Sequence, residues 1–339
     1  MGPKSESNKS HATFTVIIPT LVAGEMLDSC LASLERQTCS DFDVIVVDNS
    51  GRNAAQPRER VRVIANDHNA GFGAAINQGI RASDTPFIAV LNDDAIAHPR
   101  WLEVLLAAAE SRPDAGMWAS QIRLGGDGRI DSAGMLLCPD GSSKQRGHLE
   151  PAASHNRSQE ALLPSGCAAL YRREMLEEIG LFDESFFLYC EDTDLGLRAR
   201  WAAWECLYVP DAKVEHHYSH TSGKASALKA YYVERNRLFL AVKNLPVRSL
   251  MLLPLYSIAR YFWHVVYAVQ GRGKAAEFRQ QGTPGSQLAI YVLRAHLALL
   301  LRLLGLWRAR RHIKRRLTSS QFRLLIARFS IAPRQVAAQ

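Results

Sequence analysis

The stretch FTVIIPTLVAGEMLDSCLASLERQTCSDFDVIVVD, residues 14–48, decides the fold. Phe14–Pro19 and Phe42–Asp48 are short β-branched runs. Between them, Met26–Gln37 repeats its apolar side chains at the helical period, so the chain opens as a strand–helix–strand unit. Val61–Ala65 predicts a third strand. Asn69-Ala-Gly-Phe-Gly-Ala-Ala-Ile-Asn-Gln-Gly then leads into a helix, followed by the strand Pro86–Leu91. Strands alternating with helices predict an α/β domain, its parallel sheet covered on both faces and its ligands outside the carboxyl ends of the strands.

From Asp114 to Glu160 the pattern weakens, with Gly125, Gly126, Gly128, Gly134, Gly141 and Gly147 breaking it into loops and short strands. Helical periodicity returns over Arg172–Ile179, Asp192–Trp204 and Ala225–Lys243. With 339 residues and 47% apolar content the chain buries a substantial core, as one large domain with an appendage or as two smaller ones. Residues 1–12 are polar and read as a disordered leader rather than a secretory signal. Six scattered cysteines without a CxxC pair predict reduced, buried thiols in the cytosol. A net charge of +8 asks for an anionic partner: nucleic acid, a phosphorylated substrate or anionic lipid.

After Leu245 acidic residues nearly vanish. Ser249–Val269 is almost long enough to span a bilayer but is interrupted by Pro254, Arg260 and His264. Leu288–Trp307 is apolar with Arg294, His296 and Arg302 recurring, and the basic block Arg308–Arg316 follows. Apolar helices broken by cations predict elements lying in a membrane interface, where Arg stems snorkel and their heads meet lipid phosphate. A spanning segment fits less well, given the cost of Arg at bilayer depth. The competing account is a soluble helical hairpin packed on the catalytic domain.

The chemistry concentrates at strand ends. Pro86–Leu91 runs into Asn92-Asp93-Asp94, and two adjacent carboxylates ask for a cation. Mg²⁺ or Mn²⁺ takes oxygen ligands and also binds the phosphates of a nucleotide. The alternative is that both Asp residues cap the helix beginning near Pro99. Asp48 also ends a strand and reaches a base or ribose, or else closes an Asx-turn through Asn49-Ser50-Gly51. The GxG of Asn69-Ala-Gly-Phe-Gly reads equally as a phosphate cradle and as a tight turn. Glu191 and Asp192 follow an aromatic run at the start of a helix, where the dipole favours acids, and Asp194 with Arg198 makes an i,i+4 pair. Such a carboxylate can take the proton of a hydroxyl as its oxygen attacks. In Val214–Ser222 three histidines, His216, His217 and His220, offer a metal ligand without zinc-site spacing.

In their shared order, FTVIIPT, CLASLERQT, VIVVDNS, NAGFGAAINQGI, LNDDA, SGCAALYRREMLEEIGLFDESFF, YCEDTDLGLRARW, VEHH and YYVERNRLF resemble the family-2 glycosyltransferases, in particular their bacterial rhamnosyltransferase-like branch. The likeness spans about residues 14–245 and is looser in the C-terminal helices. It implies a GT-A, Rossmann-like nucleotide-diphospho-sugar transferase domain over 13–245, with a nucleotide-binding half at 13–98 and an acceptor-binding half at 99–245. A basic amphipathic helical extension at 246–339 would associate with membrane. Carried over motif by motif, the resemblance assigns Thr20, Asp48, Asn69 and Asp93 to the donor, and Glu191 and Gly166 to the acceptor. Asp94 and His216 would hold the metal, and Asp192 would be the general base. Asn92 stands where the family's DxD motif has its first Asp. Arg235 and Asn236 either contact phosphate or tie their helix to the domain.

The reading is an inverting single displacement dependent on Mn²⁺ or Mg²⁺. A sugar passes from a nucleotide-diphospho-sugar, dTDP-rhamnose favoured, to a polyprenyl-diphosphate-linked saccharide in cell-surface polysaccharide synthesis. The protein would work peripherally on the anionic cytoplasmic face of the cell membrane. A nucleotidyltransferase would carry a Gly- and Lys/Arg-rich loop directly after the first strand, which Pro19-Thr-Leu-Val-Ala-Gly is not. A basic nucleic-acid-binding protein would place its charge along a polar face with stacking aromatics. Here the charge sits beside Leu-rich helices, so nucleic acid is not expected as a partner.

Overall fold

The computed structural model describes residues 12–218, 227–273, 276, 278 and 285–338. The leader expected at 1–12 lies, apart from Ala12, outside the described residues, as does His220. The opening unit forms as read: β1 (Phe14–Thr20), α1 (Glu25–Glu35), β2 (Phe42–Asp48), β3 (Val61–Ala65), α2 (Phe72–Arg81) and β4 (Phe87–Leu91). Next come β5 (Ala95–Ala97), α3 (Trp101–Ser111), β6 (Ala115–Leu124), β7 (Ile130–Ser132), β8 (Met135–Leu137), β9 (Ser143–Gln145) and β10 (Gln159–Glu160). The domain closes with β11 (Ala168–Arg172), α4 (Arg173–Ile179), α5 (Glu191–Trp201) and β12 (Glu205–His216). Among the described residues the helices α6 (Ala227–Asn244), α7 (Val247–Val269), α8 (Gly285–Arg311), α9 (Ser319–Arg328) and α10 (Pro333–Ala338) follow.

Among the described residues the main sheet has ten strands, in the order β10-β12-β6-β11-β4-β1-β2-β3, with β5 on β12 and β7 on β6. The expected parallel sheet is only half right. β3, β2, β1 and β4 are mutually parallel, but β11 runs antiparallel to both β4 and β6. The sheet is therefore mixed. Its reversal strand joins the two halves by setting Ala168–Arg172 against Leu91–Phe87.

Asp114–Glu160, expected as loops and short strands, also contains β6, a ten-residue strand between β11 and β12 near the middle of the sheet. Its first eight residues are all buried, so AGMWASQI shows none of the in–out alternation that marks a half-exposed strand. Two-sided burial leaves no period to read.

Alternation along β1 divides the core. Phe14, Val16 and Ile18 pack with Leu27, Leu31 and Leu34 of α1 and with Trp101, Leu102 and Leu105 of α3. Ile17 points the other way, with Val47 and Val90, onto Ile76 of α2, Met175 of α4 and Leu195 of α5. Gly79 in α2 lets that helix lie on β1, since a Cβ there would stand 2.6 Å from Ile17 Cγ2. Of the six cysteines five are buried, Cys39 is half-buried, and none is in a disulfide.

The C-terminal helices build a third apolar cluster on the outer side of α5. Leu197 and Trp201 meet Phe239, Leu240, Leu306 and Phe322, and Trp201 stacks on Phe322 at 3.8 Å between ring centroids. The interfacial reading of Arg260 is overturned. It is buried, donating to Asp140 Oδ2 and, over 2.8 Å, to Glu234 Oε2, in a network that also holds Arg237 and Tyr261. Arg310 is buried likewise, capping the carbonyls of Val242 and Leu245 at 2.9 and 2.6 Å. These two cations fasten the helices to the domain. The opposite faces are bare: Met251, Leu255, Ile258, Val265 and Val269 on α7, and Leu293, Leu300, Leu301 and Leu304 on α8, are each more than 60% exposed. By length and composition, Ser286–Arg311 is long and apolar enough to cross a membrane.

Candidate active site

Both acidic pairs reach one edge of the sheet because β4 and β11 are neighbours. Asn92, just past the end of β4, donates its backbone N–H to Cys167 O at 2.9 Å. One residue away, Gly166 N–H donates to Asp192 Oδ2 at 2.9 Å. The short segment Ser165–Cys167 thus stands between Asn92-Asp93-Asp94 and Glu191-Asp192.

On the first side Thr20, at the end of β1, donates to Asp93 Oδ2 at 2.6 Å. Burial raises the Asp93 carboxyl above its ordinary value against that hydrogen bond, and the Asp94 charge adds to the rise. Asp94 is 6% exposed and lies 3.2 Å from His216 Nε2 through Oδ1. The antiparallel pairing of His216 on β12 with Ala95 on β5 brings these two together. Neither Asp93 nor Asp94 caps a helix: β5 intervenes, and α3 starts at Trp101 with no side-chain cap.

The other nitrogen of His216, Nδ1, lies 2.8 Å from Asp131 Oδ2. Asp131 also accepts from Tyr218 Oη at 2.6 Å and lies 3.3 Å from His148 Nδ1. Burial would lift the Asp131 carboxyl, but His148, His216 and Tyr218 outweigh it and hold it far below the carboxylate range. Burial likewise opposes charge on His216, yet Cys167, Asp131 and Asp94 keep its pKa well above the ordinary imidazole value. Asp131, His148 and Tyr218 were missed from the sequence. Asp131 sits on a three-residue strand in the Gly-interrupted region, and no spacing links it to His216 across 85 residues.

On the second side Asp192 accepts from Thr193 N at 2.6 Å and Thr193 Oγ1 at 3.1 Å, besides Gly166. Burial raises its carboxyl and these hydrogen bonds pull it back. Glu191 has less support. It is 5% exposed, its Oε2 has no hydrogen-bond partner among the described residues, and burial followed by the charge of Asp192 pushes it up to about 8 against a backbone hydrogen bond. Burial thus raises both adjacent carboxyls, and Asp192 is the one whose charged form the Gly166 and Thr193 hydrogen bonds support. The folded state keeps a proton on Glu191 that the unfolded chain gives up near pH 4.5, so the stability contribution is intact below pH 4.5 and is lost as pH rises to about 8. Glu191→Gln is expected to remove that slope and to raise the urea midpoint at pH 8 relative to the native chain, with little change at pH 4.5.

The loop before this pair is strained. Phe187, Tyr189 and Cys190 adopt φ of 65°, 70° and 68°, at ~1–3 kcal/mol each for residues with a Cβ. Asn236, fully buried on α6, holds the loop by donating from Nδ2 to the carbonyls of Phe186, Leu188 and Tyr189 at 2.9, 2.8 and 2.7 Å. Arg235 adds bonds to Ser185 O and Phe186 O at 3.0 and 2.7 Å. Of the two roles open to Arg235 and Asn236, tying the helix to the domain is the one their side chains perform. Asn236→Ala strands buried carbonyls and is expected to cost ~2–3 kcal/mol in denaturant unfolding. Turnover should fall at least ~10-fold through the displaced Asp192.

The remaining expected residues are engaged locally. Asp48 is buried, its carboxylate accepting from Ser50 N at 2.8 Å and Ala55 N at 2.9 Å, which is the Asx-turn alternative. Burial would raise its carboxyl, and these bonds win and lower it. Asn69 is exposed and accepts from Gly71 N at 2.9 Å. Gly71 (φ 93°) is required by close approach: a Cβ there would stand 2.5 Å from Phe187 O. The glycines of that motif therefore seat α2 against the loop that carries Glu191 and Asp192. Asp194 is held at about 2 despite burial, by Lys243 and Arg198.

Among the described residues no cluster of three or more His, Cys, Asp or Glu is arranged to hold a metal. The donor set is smaller: the Asp94 carboxylate, His216 Nε2 backed by Asp131, and the buried, unpartnered Asn92 Oδ1. Such a set fits Mg²⁺ or Mn²⁺, which take part of their shell from water and substrate phosphate, better than a closed zinc site.

Comparison with known proteins agrees with this architecture. The family model for Glycosyl transferase family 2 matches residues 15–180. The chain is 32% identical over 259 residues to the N-acetylglucosaminyl-diphospho-decaprenol L-rhamnosyltransferase of Mycobacterium tuberculosis (strain CDC 1551 / Oshkosh), covering 68% of this chain and 84% of that one. It is 30% identical over 237 residues to the pre-mycofactocin glycosyltransferase of the same strain, over 68% of this chain and 48% of the relative. In fold it is similar to GalNAc-T7, solved with UDP, GalNAc and Mn²⁺, at a TM-score of 0.55 and 15% identity over 70% of this chain and 48% of that one. With its mixed GT-A sheet and its motifs in family order, the chain belongs to glycosyl transferase family 2, in the rhamnosyltransferase-like branch, and is a glycosyltransferase.

Proposed function

We propose that this enzyme moves a sugar, with inversion, from a nucleotide diphosphate donor to a polyprenyl-diphosphate-linked saccharide on the cytoplasmic face of the cell membrane. The observation that carries the reading is the meeting of Asp94–His216 and Asp192 on either side of Ser165–Cys167. Residues 13–98 form the donor half and 99–245 the acceptor half. Thr20 and Asp93 line the donor side, and Asp48 and Asn69 shape its loops through the turns they close. Asp94 and His216 would hold a divalent ion, Mn²⁺ or Mg²⁺, which would supply positive charge against that of the diphosphate. Asp131 fixes the His216 ring through Nδ1 and so turns Nε2 toward Asp94. Asp192, held by Gly166 and Thr193, takes the proton of the acceptor hydroxyl. Glu191, neutral at the same pH, is placed to donate a hydrogen bond to the acceptor sugar.

The donor favoured is dTDP-rhamnose, because the mycobacterial relative with 84% of its length covered is named for L-rhamnosyl transfer to a diphospho-decaprenol-linked sugar. The bare apolar faces of α7 and α8 support peripheral attachment to the membrane through the 246–339 extension. A screen of nucleotide sugars with purified enzyme and a lipid-linked acceptor, reading nucleoside diphosphate release with and without EDTA, tests the reading. Rhamnose transfer that EDTA stops is expected. Consumption of no nucleotide sugar with either metal would overturn it.

A further inference from the structure

The charge of the molecule is segregated. Residues 246–339 hold sixteen Lys and Arg against one Glu, while residues 1–245 hold 25 basic and 32 acidic side chains. The net charge of +8 therefore arises wholly in the C-terminal helices. Several of those cations are occupied within the fold. Arg260 and Arg310 are buried fasteners, and Arg316 and Arg328 pair with Glu178 and Glu160 at 2.8 and 2.6 Å. Arg294 and Arg302 are not so engaged. Both are exposed, α8 contains no acidic residue, and neither forms an ion pair among the described residues.

Their position on α8 is specific. At 100° per residue, Leu293, Leu297, Leu300, Leu301 and Leu304 share one exposed face, and Ala295 and Leu306 lie on the buried face opposite. Arg294 falls on the flank between the two, and Arg302, eight residues or about 12 Å further along the axis, is turned about 80° beyond it toward the Ala295 side while staying exposed. That flank adjoins the active-site loop through aromatic rings. The Arg294 guanidinium lies 5.4 Å from the Tyr231 ring, Tyr231 lies 5.3 Å from Tyr232, and Tyr232 lies 5.3 Å from Phe187 of the strained loop. Lys229 stands 5.6 Å from the ring of Tyr189, three residues before Asp192. Arg235 is enclosed by Tyr232 and Phe239 at 4.6 and 5.1 Å, its Nη2 donating to two backbone carbonyls and its Nε to Asn236 Oδ1. Burial, with the Arg302 charge as a lesser cause, lowers its pKa, which marks Arg302 as part of the same positive field.

We propose that Arg294, on the flank of α8 beside Tyr231, and Arg302, about two turns further along the helix, seat the diphosphate of the lipid-linked acceptor, with its isoprenoid running along the exposed apolar face of α8. Guanidinium forks match phosphate oxygens bidentately, and the flank lies between the apolar face that the hydrocarbon would follow and the loop that carries Asp192. This rests on the lipid-linked acceptor of the proposed function, but its test does not require sugar transfer.

The deciding experiment is flotation of the full chain with phosphatidylcholine vesicles carrying either undecaprenyl diphosphate or phosphatidylglycerol at matched charge. The native chain is compared with Arg294→Gln/Arg302→Gln and with Arg294→Lys/Arg302→Lys. The Gln pair is expected to weaken binding to the diphosphate vesicles at least ~10-fold and to the phosphatidylglycerol vesicles less than ~2-fold, with the Lys pair in between. Inorganic diphosphate should compete with the native chain. Equal losses on both vesicles would reduce the two Arg to general membrane electrostatics, and no loss on the diphosphate vesicles would remove them from the seat. Both outcomes overturn the proposal, provided that circular dichroism shows unchanged melting of the variants. Selective flotation by a chain that consumes no nucleotide sugar would leave the seat standing and remove the proposed function instead.

Discussion

Asp192→Asn is expected to lower turnover by ~10²–10⁴-fold, the range a positioned general base contributes, while leaving nucleotide-sugar affinity within about 2-fold. The substitution is nearly isosteric. An Asn carbonyl oxygen can still accept from Gly166 N or Thr193 N, so the loop and the helix start should keep their geometry. What is lost is basicity at a buried carboxylate that accepts three hydrogen bonds, one on Oδ2 and two on Oδ1. Glu191 offers no substitute, because burial and the neighbouring charge leave it protonated up to about pH 8. Turnover near the native level in steady-state assays, with donor affinity from equilibrium titration unchanged, would transfer the base to another residue.

The second large effect is expected at the cation site. Chelation should stop transfer and added Mn²⁺ or Mg²⁺ restore it. Asp94→Asn and His216→Ala should each raise the metal concentration needed for half-maximal rate by more than Asp131→Asn, for which ~10–100-fold is expected. The ranking follows from contact. Asp94 and His216 present their own donor atoms 3.2 Å apart, whereas Asp131 acts only by fixing the ring through Nδ1. Nucleoside diphosphate release measured against metal concentration reads all three. An Asp131 variant with the native metal requirement would leave Asp131 as a fold residue that binds Tyr218 and His148 for structural reasons alone.

Much of the first half was legible because local pattern and final environment coincide there. β1, β2 and β3 fall where the β-branched runs put them, and α1 where the 3.6-residue period put it, to within two residues at each end. The acidic pairs were legible for a similar reason: a carboxylate just past a buried strand or at a helix start is an anomaly visible in one dimension. Legibility failed where burial is two-sided. β6 hides an extended segment behind Gly, Ala and Ser, and the antiparallel β11 is bounded by motifs whose strand character is overshadowed by the helix that follows. It failed again where a polar residue serves one distant in sequence, as Asp131 serves His216 and Asn236 serves Phe186–Tyr189.

The C-terminal helices show the division most clearly. Composition by itself determined that the chain beyond Leu245 is apolar and cationic, since those are sums over the sequence and need no coordinates. Which cations are structural and which face outward was decided only by tertiary packing. Arg260 and Arg310 could be buried because Asp140, Glu234 and the free carbonyls at the end of α6 arrive from elsewhere in the chain to receive them. Arg294 and Arg302, with no ion-pair partner among the described residues, stay exposed. A guanidinium is buried only where partners repay its desolvation, and those partners are set by the fold, not by the residues beside it in sequence.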